Sequence, residues 1–95
     1  MILVKVHRAG MGEVICLCDA DLIGKKFEQG DKQLDVTESF YKSEEIPKKK
    51  MLTLTQTSRN LGITGKESIA FTIKHHIIEK ESVIIIQGIP HAQVI

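Results

Sequence analysis

Two side chains of this sequence have the chemistry of a nucleophile and its base. Cys18 ends an apolar run, and His91 lies in residues 88–93 (GIPHAQ), which follow the most apolar run of the chain. A histidine beside a cysteine can take the thiol proton, and a third group such as Asp19 or Gln93 could orient the ring. Free cysteines are more often small core residues. We therefore expect no catalytic residue, with Cys18 and His91 as the candidates if there is one.

Cys16, Cys18, His75 and His76 together offer the ligand types of a zinc site. The spacing does not fit, because structural zinc sites separate paired cysteines by roughly two to four residues. Adjacent histidines on a helix point about 100° apart around its axis, so they rarely bind one ion. We expect the two histidines to close a helix, where a cation suits the dipole, and we expect no metal or other cofactor.

The sequence has no loop motif for phosphate binding. Residues 10–12 (GMG) predict a hairpin turn, and the full dinucleotide and P-loop patterns do not occur. Residues 62–65 (GITG) precede a predicted helix, whose first amides could hold one phosphate together with Lys66. Every capped helix start offers such amides, so this pattern indicates little by itself.

Positive charge is concentrated in the second half of the chain. The net charge of +1 divides into −3 over residues 1–47 and +4 over residues 48–95. Residues 48–76 contain one acidic residue, Glu67, and six cations, which are Lys48, Lys49, Lys50, Arg59, Lys66 and Lys74. Such an array could bind an RNA backbone, although the segment lacks the interleaved aromatic residues that stack unpaired bases, and we expect Phe71 in the core. A solvated helix face is the alternative.

The elements that must position these residues begin with a hairpin. Residues 2–7 and 13–18 are apolar-rich and flank a glycine-bearing connection, which predicts two antiparallel strands. Asp19 or Asp21 could cap a short helical turn, and Gly24 is placed to end it in a left-handed conformation. Leu34 and Val36 then alternate with polar residues after a turn at residues 30–31, which predicts a short strand.

Two helices are predicted next. Ser43 is the expected N-cap of the first, followed by Glu44 and Glu45 in its first turn. Its apolar stripe is Pro47, Met51, Leu54, Ser58 and Leu61. Thr53, Thr55 and Thr57 alternate and favour a strand instead, which is the competing interpretation.

The second helix has a capping box, with Thr64 as N-cap and Glu67 reaching back. Ile69, Ile73 and Ile77 form its apolar face. Residues 82–86 predict a buried central strand, and residues 92–95 predict a short edge strand. The fold class is therefore α+β, with a small mixed or antiparallel sheet (the N-terminal hairpin plus a central C-terminal strand) and two helices packed on one face.

Composition agrees with one ordinary globular domain over residues 1–95, because 42% of the residues are hydrophobic and 26% are charged. No apolar run approaches the roughly 20 residues that span a bilayer, and the first residues lack a basic leader with an apolar run behind it. We expect a cytoplasmic protein that makes no membrane contact. Cys16 and Cys18 are roughly 6.5 Å apart along a strand, so we expect reduced thiols.

Several of these features occur together in a known family. They are Cys18-Asp19 with Leu22 and Gly24-Lys25, Phe40-Tyr41, Gly65 before a helix, and residues 88–93. The sequence resembles the archaeal domain-of-unknown-function family numbered 424 over nearly its whole length. The resemblance implies a small, single-domain archaeal cytoplasmic protein, and it supplies no catalytic or binding residues. This chain departs from the family at Lys42-Ser43, where a glycine pair is expected, and at Gly62, where an asparagine is expected.

We therefore expect a non-enzymatic binding module associated with RNA or with the ribosome and the archaeal translation machinery. The basic helical face would contact phosphates, and the motif of Gly88, Pro90, His91 and Gln93 would make a specific contact of unassigned role. One alternative is a small hydrolase or transferase that uses Cys18 and His91. Another is a homodimer in which the terminal strand pairs with its copy in the second molecule and His91 forms a hydrogen bond at the interface.

Overall fold

The N-terminal hairpin is present as expected. The computed structural model describes residues 1–10, 12–36 and 46–94. Strand β1 (Ile2–Ala9) pairs antiparallel with β2 (Gly12–Asp19), and Ile2 lies opposite Asp19. Gly10 has φ +59°, a conformation that glycine adopts without steric cost. The hairpin prediction is confirmed. It could be made from the sequence because alternating apolar residues around a glycine turn are a local signal.

A short helical turn and a two-stranded sheet follow β2. The turn is a 3₁₀ helix (Ala20–Leu22), and Gly24 ends it with φ +86°. Asp19 occupies the predicted N-cap position of this turn, but its side chain makes no capping hydrogen bond there. Strands β3 (Lys26–Gln29) and β4 (Lys32–Asp35) then pair antiparallel around Gly30. The sequence predicted β4 but not β3, which has Phe27 as its one apolar residue.

Helix α1 (Lys48–Thr57) follows Pro47, which is its N-cap residue. The predicted start at residues 43–45 lies outside the described residues. The predicted continuation to Leu61 is wrong, because Ser58 is already extended at φ −89° and ψ 146°. Residues beyond it form a strand, β5 (Leu61–Thr64), which the sequence did not predict.

The three threonines of α1 are accommodated inside the helix. Thr53, Thr55 and Thr57 each donate a hydroxyl hydrogen bond to the carbonyl four residues earlier, at 3.1, 3.0 and 2.9 Å. These bonds satisfy the hydroxyl groups without breaking the helix. The alternation that favoured a strand therefore has no structural consequence here.

The C-terminal strands have their predicted positions reversed. Helix α2 (Lys66–Lys74) and a 3₁₀ turn (Lys80–Ser82) lead to β6 (Ile84–Ile86) and β7 (Ile89–Val94). The isoleucine run expected at the centre lies at the sheet edge, where Ile84 and Ile85 are 41% and 50% exposed. The expected edge strand is interior, because β7 pairs with β5 on one side and β6 on the other.

The main sheet is mixed, in the order β1-β2-β5-β7-β6. The pair β2 and β5 is parallel, and the other pairs are antiparallel. Leu17 neighbours Ile63, and Ile63 neighbours Ala92, so one row of buried residues crosses three strands. The α+β class with a mixed sheet is confirmed.

Both helices pack on one face of this sheet, as expected. Met51 of α1 and Ile69 of α2 belong to one buried cluster with Leu17 and Ile63. The opposite face is covered by the small β3–β4 sheet, through a second buried cluster of Cys18, Leu22, Leu34, Val36 and Ile86. Within residues 1–10, 12–36 and 46–94, no helix is long and apolar enough to cross a membrane.

Candidate functional site

Cys18 and His91 lie in the same lateral row of the sheet, but a third residue separates them. Cys18 neighbours Thr64 on β5, and Thr64 neighbours His91 on β7. The Oγ1 atom of Thr64 and the Nδ1 atom of His91 are hydrogen-bonded at 2.8 Å. Since neighbouring strands are about 4.8 Å apart, the backbones of Cys18 and His91 are roughly 10 Å apart. His91 is therefore hydrogen-bonded to Thr64 and not paired with Cys18.

The thiol of Cys18 is poorly suited to nucleophilic attack. The residue is fully buried, and its Sγ atom donates to the Asp19 carbonyl at 3.4 Å. Burial, with a smaller contribution from the charge of Asp19, raises the pKa of Cys18 to about 12. Burial also raises the pKa of Cys16 to about 11. Because the thiolate is the reactive form, both cysteines act as core residues.

Asp19 belongs to the opposite face of the sheet from His91 and caps α2. Its carboxylate accepts hydrogen bonds from the backbone amides of Glu67 (2.9 Å) and Ser68 (2.8 Å). It also accepts one from the Ser68 hydroxyl at 2.7 Å. Asp19 is 5% exposed, and a negative charge at this position suits the helix dipole. It therefore cannot orient the ring of His91.

This cap overturns two expectations about the start of α2. The N-cap residue is Gly65, not Thr64, whose hydroxyl bonds to His91 within the sheet. Glu67 does not reach back to the cap; its carboxylate pairs with the Met1 ammonium. The first amides of α2, which could have held a phosphate together with Lys66, are instead bonded to the carboxylate of Asp19.

The residues weighed as metal ligands lie apart in the fold. Cys16 and Cys18 are buried within β2, and His75 is the C-cap residue of α2. His76 follows with φ +58°. In the part of the chain that the structure describes, no group of three or more His, Cys, Asp or Glu could hold a metal ion.

A cleft of about 850 Å³ lies between α1 and α2. Its apolar lining includes Ile2 and Met51, which we call the floor, and Phe71 of α2. Lys48 and Lys49 of α1 line it, together with Lys74 of α2. Lysines from both helices therefore line the same cleft as these apolar residues. We call these lysines and the apolar floor the interhelical cleft.

The charge around the interhelical cleft is positive. Residues 46–66 contain five Lys/Arg and no Asp or Glu. Lys48, Lys49 and Lys74 are exposed, and none of them forms an ion pair within the described ranges. Glu67 also lines the cleft, but its carboxylate pairs with the Met1 ammonium. The lysine ammonium groups are therefore available to an anionic ligand.

Two ring side chains line the α2 wall of the cleft. Phe71 and His75 are both half-buried, with ring centroids 4.8 Å apart and ring planes at 54°. Phe71 packs partly against the core cluster, as expected, and is also part of the cleft wall. Sequence reasoning did not assign these residues to a site, although their spacing of four positions along a helix could have shown that they share a face.

The sequence model of the family of proteins of unknown function designated DUF424 matches residues 6–95. The chain belongs to the DUF424 family. It is also similar in structure to a crystal structure of an uncharacterized conserved protein from Methanopyrus kandleri, with a TM-score of 0.80 and 22% sequence identity. That match covers 98% of this chain and 89% of the other. At this identity the likeness shows the shared fold. No curated protein matches the chain.

The motif that carries the DUF424 resemblance has a structural basis here. Gln87 (φ +50°) and Gly88 (φ +81°) form the turn between β6 and β7, and Gly88 fits because glycine adopts positive φ freely. The carbonyl of Pro90 accepts a hydrogen bond from the Gly65 amide at 2.9 Å. Together with the bond of His91 to Thr64, these contacts fix β7 in the interior of the sheet.

The remaining motif residue and the departures from the family pattern lie at the other end of β7. Gln93 is exposed and neighbours Gly62 on β5. The Asn60 side chain donates to the Glu13 carbonyl at 3.5 Å, beside that strand. The departure at Lys42-Ser43 lies outside the described residues, as does Phe40-Tyr41.

The six cations predicted as one basic surface are divided among three places. Lys48, Lys49 and Lys74 share the interhelical cleft. Arg59 lines a smaller cleft of about 450 Å³ at the other end of α1, beside Ser58. Lys50 and Lys66 are exposed on the helical layer away from both linings.

Proposed function

We propose that this DUF424 protein is a non-enzymatic binding module that contacts RNA phosphates through the lysines of its helical layer. The observation that carries the proposal is the grouping of Lys48, Lys49 and Lys74 around one cleft, where no acid pairs with them in the described ranges. The cytoplasm of an archaeon is the proposed setting, with ribosomal RNA or another part of the translation machinery as the partner.

The charge pattern supports a phosphate partner. A polyanion with a condensed layer of counterions gains entropy when lysines displace those ions, which gives affinity without sequence readout. Residues 46–66 contain no carboxylate, and the carboxylate of Glu67 that does line the cleft is paired with the Met1 ammonium. Like-charged lysines on one surface oppose folding slightly through their repulsion, and an anionic partner removes that cost.

The enzymatic alternative receives no support from the site. A hydrolase or transferase that used Cys18 would need an accessible thiolate, whereas this thiol is fully buried and burial raises its pKa to about 12. His91 is also buried and is bonded to Thr64.

A homodimer is the second candidate, because the sheet has an apolar edge. Strand β7 has a neighbour on each side, and His91 is buried, so neither is placed at an interface. The exposed Ile84 and Ile85 of the edge strand β6 could instead pair with a second copy. Light scattering of the wild type and an Ile85→Lys variant tests this, since only a dimer through β6 would lose mass in the variant.

Binding to ribosomal RNA across a salt series tests the leading proposal. For the wild type, the logarithm of the affinity should fall linearly with the logarithm of the salt concentration. A Lys48, Lys49, Lys50→Glu variant should lose most of its affinity. The matched control is Lys25, Lys26, Lys32→Glu, which makes the same change of charge at exposed lysines around the β3–β4 sheet. Equal losses in the two variants, or no binding by the wild type at low salt, would overturn the proposal.

A further inference from the structure

We infer that the interhelical cleft takes one unpaired base, so that the RNA bound by this protein is single-stranded. This inference rests on the proposed function and names the kind of RNA. Its basis is that the cleft combines rings, an apolar floor and lysines on opposing walls. An array of lysines alone would bind duplex and single-stranded RNA alike, because both present phosphates.

The α2 wall offers a base the surface on which unpaired bases stack. Phe71 and His75 have their ring centroids 4.8 Å apart, and both line the cleft. Bases stack on aromatic side chains and on histidine in proteins that bind single strands, and such stacking tolerates any base. The apolar floor beneath, including Met51, suits the base face rather than a charged group.

The lysines are placed to hold the phosphates on either side of such a base. Lys48 and Lys49 stand on the α1 wall and Lys74 on the α2 wall, so a strand that crosses the opening meets a cation before and after the cleft. The volume of about 850 Å³ is within the usual range of small-ligand sites, roughly 300–1,000 Å³. A base inside a duplex would have to leave its stack to enter, which costs free energy.

An acidic peptide would meet the same lysines, but the floor suits it less well. An amphipathic helix binds along a groove that accepts apolar anchors over about two turns. The apolar lining from α2 is Ala70 and Phe71, with Glu67 and Lys74 at its two ends. The apolar part of the α2 wall is thus less than one turn long, which fits a single flat ring; a longer apolar ligand would contact apolar side chains of the helical layer only on the α1 side, within residues 46–52.

The test measures binding of a short single-stranded RNA that carries 2-aminopurine at its centre, and of the same strand annealed to its complement. The single strand should bind at least tenfold more tightly, and the probe fluorescence should fall as the base stacks. Phe71→Leu keeps an apolar side chain against the core and removes the ring. It should weaken single-strand binding by roughly tenfold, without changing the slope of log affinity against log salt.

His75→Asn is the second variant, because it leaves the core untouched if Phe71→Leu does not fold. It should reduce the fluorescence change and the single-strand affinity in the same direction. Equal affinity for single strand and duplex, with no effect of either variant, overturns the inference and leaves phosphate binding intact. No salt-dependent binding to either RNA overturns the inference and the proposed function together. Ring-dependent binding of an acidic peptide, with none of single-stranded RNA, also overturns the inference.

Discussion

The carboxylate of Asp19 lies where a side chain on Gly65 would have to be. A Cβ atom built on Gly65 would be 2.3 Å from Cγ of Asp19 and 2.5 and 2.6 Å from its carboxylate oxygens. Gly65 also has φ +110°, which L side chains rarely adopt. The two residues are far apart in sequence, yet the glycine allows the aspartate on β2 to cap α2. The start of α2 therefore depends on both residues.

Gly65→Ala should destabilise the protein by about 2–4 kcal/mol, because the backbone strain of positive φ adds to the collision with Asp19. The free energy of unfolding in urea measures it. Gly30→Ala is the matched control, since Gly30 has φ +62° and open space around its Cα. It should cost about 1 kcal/mol from the backbone alone. Equal losses in the two variants would show that the contact with Asp19 is unimportant.

Asp19→Ala should lower the free energy of unfolding by about 2–3 kcal/mol, because two amides and the Ser68 hydroxyl lose their acceptor. Asp19→Asn keeps one acceptor oxygen, so its loss should be smaller. Asp21→Ala removes an exposed carboxylate from the adjacent 3₁₀ turn and should change stability by less than about 0.5 kcal/mol. If Asp19→Ala has the same free energy of unfolding as the wild type in urea melts, this account of the cap is contradicted.

Stability should fall as the pH drops below about 6.5 because of His91. Burial lowers the pKa of His91 from its ordinary value of 6.5. As the pH falls below 6.5, His91 becomes protonated in the unfolded chain while it stays neutral in the folded chain. The free energy of unfolding then decreases, by at most about 1.4 kcal/mol per pH unit for one group. Above pH 6.5 His91 is neutral in both states, so it no longer lowers the free energy of unfolding.

Urea melts between pH 8 and pH 5 measure this dependence. His91→Gln removes the titrating ring and keeps a hydrogen-bonding side chain beside Thr64, so the decrease over this range should become smaller. His76→Gln changes an exposed histidine beyond α2 and should leave the decrease as in the wild type. Identical pH profiles for the wild type and His91→Gln would show that His91 does not carry the effect.

Neither cysteine should react with a thiol reagent in the native protein at pH 8. Cys16 and Cys18 are 3% and 0% exposed, and burial raises their pKa values to about 11 and about 12. Both thiols should react once the protein is unfolded in urea, where the pKa values return to about 8.5. The reaction is followed with a chromogenic disulfide reagent, whose absorbance change over time gives the number of modified thiols. Rapid native-state modification of Cys18 would favour the enzymatic alternative.

Sequence reasoning found the elements whose signals are local. The hairpin β1–β2 follows from alternating apolar residues around a turn, and Gly24 ends the 3₁₀ turn because glycine adopts positive φ. Helix α2 follows from its apolar spacing. Its cap was mistaken, since Thr64 and Glu67 matched the pattern of a capping box while an aspartate from another strand occupied the position.

Strand β5 escaped detection for a different reason. Its four residues follow α1 closely, and Leu61 continued the apolar stripe of that helix. Four residues are too few to separate a period of two from a period of 3.6. The interhelical cleft was missed as well, because its lysines come from two helices that meet only in the folded chain.

The sequence by itself determined the α+β class, the hairpin, the second helix and the positive charge of residues 46–66. These depend on periodicity, turn residues and composition, which act between near neighbours. Only the tertiary structure decided that β7 is interior while the isoleucines of β6 are exposed, and that Asp19 caps a helix 48 residues away. Periodicity shows which side chains seek burial, but their partners depend on how distant segments share one core.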